Sequence, residues 1–109
     1  MELKLYNLTA LEEATGGDKD FMASMLQLII VETPKDLKDI EIALENKEYA
    51  IVSSIVHKIK PSIKYFCVSK LLDDMIAIEA WENKDEMMVK ETHVFIAKIY
   101  SVLAQLDSI

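Results

Sequence analysis

Apolar residues recur along this chain at three- and four-residue intervals, with polar clusters and the few glycines and prolines between the runs, a pattern that predicts helices rather than strands. Val52, Ile55, Val56, Ile59, Ile63 and Phe66 make one such stripe and predict a helix from about Glu48 to Phe66. Met88, Thr92, Phe95, Ile96, Ile99, Val102, Leu103 and Leu106 make another, on a last helix ending near Leu106. Asn83-Lys84-Asp85-Glu86 has the box-like form of its start. Between these two, a helix is expected from Ser69 as its cap to about Glu82, with Leu72, Met75, Ile76 and Glu79 on successive turns.

The N-terminal third reads in the same way. Thr9-Ala10-Leu11-Glu12 has the capping-box pattern, in which a hydroxyl and a carboxylate satisfy free amides of a first turn, and Gly16-Gly17 stops the short helix that follows. A second helix is expected from near Asp18 to about Glu32, where Thr33-Pro34-Lys35-Asp36 either kinks or restarts it, and Asn46-Lys47 closes the continuation. Four long amphipathic segments on short connections cover their apolar faces most simply as an antiparallel four-helix bundle, with the Thr9 helix as an N-terminal lid. The expected architecture is therefore all-α, a single domain over residues 1–109.

Composition narrows this reading. With 51% hydrophobic residues but only two glycines and two prolines, the 109-residue chain lacks the turn residues of an all-β or α/β domain. A net charge of -7 makes it a poor ligand for a phosphate backbone, so no nucleic-acid partner is expected. The strongly apolar run Met25 to Val31 is far below the ~20 residues of a membrane span, and Met1-Glu2-Leu3-Lys4 does not read as a secretory signal. The single Cys67 allows no intrachain disulfide and no cysteine-rich metal site, and reads as a small apolar packing residue. A cytoplasmic monomer is the expectation, because a closed bundle needs no second copy.

Charge is segregated in one place. No acid occurs from Tyr49 through Leu72, while Lys58, Lys60, Lys64 and Lys70 all fall there, around His57. At about 100° per residue, Ser53, His57, Lys60, Pro61 and Lys64 share a polar face away from the apolar stripe. A phosphoryl acceptor needs a neutral, exposed ring nitrogen, and Lys60 one turn on can reach the phosphoryl oxygens while disfavouring an imidazolium. Lys64, roughly 10 Å along the axis, is placed as docking charge. Taken alone, an exposed histidine on a lysine-rich face is most simply a solvated surface.

The wider pattern changes that balance. His57-Lys58-Ile59-Lys60-Pro61-Ser62, on the third helix of an acidic helical chain of this length, resembles the acceptor motif of the histidine-containing phosphotransfer (HPt) family: a histidine, two residues, a lysine, then usually glycine and a small residue. The resemblance extends over the Leu8-Thr9 start, the Gly16-Gly17-Asp18 break and the Glu32-Thr33-Pro34 kink. It implies that His57 accepts a phosphoryl group from an aspartyl phosphate of a response-regulator receiver domain and passes it to another receiver, with Lys60 stabilising the phosphoryl group. It further implies a hybrid sensor histidine kinase upstream, with Mg²⁺ and the aspartate pocket supplied by the receiver. The chain itself is then a carrier with no kinase activity, no cofactor and no metal of its own. Pro61 and Cys67 stand where the family commonly has glycine. Pro61 adds bulk beside the acceptor and frees the His57 carbonyl from its helical bond, which bears on docking.

The surface expected to meet a partner comprises Lys58, Pro61, Ser62 and Lys64, with Met22 and Met25 on the unusually apolar Asp18 helix, unless the lid covers that face. His93 has no metal-ligand partner at suitable spacing and reads as structural, and Glu79, Glu82, Asp85 and Glu86 read as a solvated helix end. Two other functions compete with a carrier. A nonphosphorylated helical adaptor would use the same face for binding signalling proteins alone. A histidine-dependent phosphatase is disfavoured because no second acid or base accompanies His57 in the local sequence.

Overall fold

The computed structural model describes residues 6–66, 69–80 and 88–108. Among the described residues the chain is all-α, with no β-strand: α1 (Thr9–Ala14), α2 (Lys19–Glu45), α3 (Tyr49–Ile63), α4 (Ser69–Glu79) and α5 (Val89–Asp107). Cys67, Trp81, the expected end of α4 at Glu82 and the Asn83–Glu86 helix start lie outside them. No helix among the described residues is long and apolar enough to cross a membrane.

The ends of the first two helices show how local chemistry sets them. α1 begins at Thr9, but without the expected capping box: Asn7 Oδ1 accepts from the Thr9 amide at 2.9 Å, so Asn7 supplies the acceptor and Thr9 is already in the first turn. A short amide side chain two residues upstream reaches the free N–H without any rearrangement. α1 stops at Gly16 (φ 64°) and Gly17 (φ 79°), whose amides donate to the carbonyls of Glu13 and Glu12 at 3.2 and 3.0 Å. Only glycine takes this left-handed closure without steric cost. Asp18 then caps α2, its carboxylate accepting from the Phe21 amide at 3.0 Å.

α2 neither breaks nor restarts at Pro34 but runs on for 27 residues. Proline removes one helical hydrogen bond there, while Thr33 and Leu37 on either side are buried and hold both halves against the core. The helix closes at Asn46, after which the amides of Lys47 and Glu48 donate to Leu44 and Ala43 at 3.1 and 2.8 Å. The geometry is that of the Gly16 closure, but Lys47 (φ 57°) carries a side chain into the left-handed region. Lys47→Gly is therefore expected to stabilise the protein by about 0.5–1 kcal/mol, the relief being partly offset by glycine's freedom in the unfolded chain. A rise in the urea midpoint at unchanged slope would register it, and an unchanged or lower midpoint would refute it.

The long helices enclose one core. α2 packs on α3, α3 on α4, α4 on α5, and α5 back on α2. Val52, Val56, Ile59, Ile63 and Phe66 are buried as the α3 stripe predicts, joined by Tyr49, while Ile55 is half-buried. On α5 Thr92, Phe95, Ile96, Ile99, Val102, Leu103 and Leu106 are buried and Met88 half-buried. The α4 stripe differs from expectation: Leu71, Met75 and Ile78 are buried, Leu72 is half-buried and Ile76 exposed. The core takes the face one position round, which leaves Glu79 half-buried at its margin. α1 adds the fully buried Leu11, and Tyr6 and Leu8 pack against the core beside it.

Candidate functional site

α3 turns its apolar stripe inward, so the residues between stripe positions face outward or toward α4. His57 is among the former, its side chain 71% exposed, and Lys60, one turn on, is at the margin with 24% exposure. Opposite them stands the last residue of α4. Glu79 Oε2 accepts from Lys60 Nζ at 2.7 Å, and Glu79 Oε1 bonds His57 Nδ1.

This three-residue arrangement sets the state of its carboxylate. The Lys60 hydrogen bond, then that of His57, hold the Glu79 carboxyl below its ordinary value, against the opposing effect of desolvation. Glu79 is thus ionised at neutral pH and can only accept, so His57 Nδ1 carries the proton of their bond. The other ring nitrogen, Nε2, makes no hydrogen bond among the described residues. An ammonium has three donors, so Lys60 retains two after bonding Glu79. The result is an exposed imidazole with Nδ1 engaged by a carboxylate and an ammonium alongside.

The depressed pKa makes a stability statement. Its contribution is present in full above the ordinary carboxylate value of 4.5 and is lost as pH falls through the lower folded value. Glu79→Gln is expected to be less stable than wild type at pH 7, with the gap closing as pH falls below about 4.5. Paired urea titrations across that range would show it, and a gap independent of pH would exclude it.

The remaining predicted residues divide. Lys58 Nζ pairs with Asp36 Oδ1 of α2 at 3.2 Å, an exposed contact that contributes little energy. Pro61 and Ser62 are exposed in the last turn of α3, and Lys64 is exposed just beyond it. Because Pro61 has no N–H, the His57 carbonyl lacks its helical donor. Met22 and Met25 are half-buried on α2, whose exposed apolar surface is carried instead by Phe21, Leu28 and Val31. His93 is exposed on α5. Among the described residues no three His, Cys, Asp or Glu side chains gather as a metal-binding group.

The residue that sequence reasoning missed is Glu79, read there as part of a solvated helix end. The absence of an acid near His57 in the sequence does not carry into space, since α4 brings one from 22 residues away. One signal pointed to it: an acid on the otherwise apolar Leu72, Met75, Ile76 register of α4 needs a cationic partner if half-buried. The acid-free lysine run around His57 offered one. No family model, no curated protein and no solved structure matches this chain.

Proposed function

We propose that this chain is a histidine phosphotransfer protein of a multistep phosphorelay, an antiparallel four-helix bundle with α1 as its lid. The observation that carries the proposal is the engagement of His57 Nδ1 and Lys60 Nζ by one carboxylate, which leaves Nε2 of an exposed ring free as a nucleophile. The closed circuit of α2, α3, α4 and α5 packing supports the bundle, and the HPt-like sequence around His57 supports the family.

In the transfer, the Nε2 lone pair attacks the phosphorus of a receiver's aspartyl phosphate. The N–P bond forms as the P–O bond breaks, and the aspartate carboxylate leaves. Positive charge develops on the ring, where the Nδ1 proton remains shared with Glu79, and the free protons of Lys60 meet the phosphoryl oxygens. The reverse step hands the group to a second receiver. Such chemistry requires in-line positioning and charge neutralisation rather than proton transfer. Mg²⁺ and the aspartate pocket belong to the receiver, and the upstream donor is a hybrid sensor histidine kinase. In this reading the chain is a cytoplasmic monomer and has no kinase activity of its own.

Glu79 also bears on the competing phosphatase reading. A general acid must hold a proton at working pH, and the depressed Glu79 carboxyl does not. Both Glu79 oxygens are also engaged, by His57 and Lys60, rather than free to act as a base on water, and the carrier is favoured on that ground. The deciding experiment is incubation with a phosphorylated receiver, read by intact mass and phosphorus NMR. An acid-labile adduct of about 80 Da, one phosphoryl group, is the expected result. Receiver binding without any adduct, over several receivers, would make the chain an adaptor.

A further inference from the structure

We infer that Ser53 is a positioning residue for the site: by holding the end of α4 it aligns Glu79 with both His57 and Lys60. Glu79 is the last residue of α4, and the last four carbonyls of any helix have no intrahelical donor. Its own carbonyl finds one across the helix interface, where Ser53 Oγ donates to it at 2.6 Å in a partly buried contact. Ser53 lies on α3 one turn before His57, on the face that also carries Lys60.

Glu79 is consequently gripped twice by the same helix. Its carboxylate meets His57 and Lys60, and its backbone meets Ser53. The two grips differ in what disturbs them. The carboxylate contacts are strained or strengthened when Lys60 also meets phosphoryl oxygens and when charge develops on the ring. The Ser53 bond joins two neutral groups and is indifferent to both. A glutamate side chain has several rotatable bonds, and a helix end frays readily, so fixing the backbone at that residue narrows where the carboxylate can go. Alignment therefore survives the change of charge that transfer imposes on the carboxylate's partners.

The near-isosteric pair Ser53→Thr and Ser53→Val isolates the hydroxyl, with Glu79→Ala as the reference for a released ring. In long-range proton–nitrogen NMR spectra, wild type and Ser53→Thr are expected to show the Nδ1–H tautomer of His57. Ser53→Val should lower the ratio of Nδ1–H to Nε2–H by at least about twofold, toward the Glu79→Ala spectrum. At saturating receiver, phosphoryl uptake by Ser53→Val should slow roughly tenfold while receiver affinity is retained. The rate measurement rests on the carrier proposal. The ring spectra do not, so a wild type that takes up no phosphoryl group would defeat the carrier while leaving Ser53 still decided by its tautomer ratio. A wild-type ring spectrum in Ser53→Val overturns the inference, as does an equal shift in Ser53→Thr. Unfolding of Ser53→Val and Ser53→Ala with Ser53→Thr intact also overturns it, because the hydroxyl would then hold the fold rather than the site.

Discussion

His57→Gln is expected to take up no phosphoryl group from a phosphorylated receiver while still binding it and remaining fully folded. The argument is one of chemistry and exposure together. Glutamine can occupy the hydrogen-bonding space of the ring, but its amide nitrogen has no available lone pair with which to form the N–P bond. The His57 side chain is 71% exposed, so its replacement leaves no cavity in the core and costs little stability. Loss of the about 80 Da adduct with unchanged melting and unchanged receiver affinity is the predicted combination. His93 is the only other histidine, so it serves as the built-in control. Retention of an acid-labile adduct in His57→Gln would move the acceptor elsewhere and dismantle the site as described.

The second large effect lies in the core. Phe95 on α5 is 1% exposed and belongs to the apolar cluster enclosed by the long helices. Truncation to alanine removes the transfer energy of the ring and leaves a cavity that packed neighbours only partly fill, for a loss of about 3–5 kcal/mol. Domains of this size are typically stable by only about 5–15 kcal/mol, so the variant is expected to melt far below wild type or to be partly unfolded at ambient temperature. Phe21 is the comparison: it is 51% exposed on α2, and Phe21→Ala should cost at most about 1 kcal/mol. Denaturant titrations of the two variants would test the packing directly. Equal losses would mean that α5 is not seated as described.

Much of this architecture was legible in the residues because helix periodicity is a local property. The stripes on α3 and α5 follow from three-and-four spacing alone, and the glycine stop after α1 and the start of α2 near Asp18 from equally local signals. Where competing local signals of similar strength met, the outcome depended on context. Asn7 rather than Thr9 supplies the first acceptor, and buried neighbours carry α2 through Pro34. On α4 both the Leu72–Ile76 and the Leu71–Ile78 registers offer apolar faces, and only packing against α3 and α5 selects the second.

The site divides along the same line. Residue order alone places an imidazole and an ammonium one turn apart on the polar face of an amphipathic helix, because the 3.6-residue repeat dictates which side chains share a face. It could not determine the state of that imidazole. Which ring nitrogen holds the proton depends on Glu79, and Glu79 reaches His57 only because α4 packs on α3 and Ser53 holds its last carbonyl. No repeat along a chain encodes a contact between residues 22 apart on different helices, since that distance is closed by burying the faces between them.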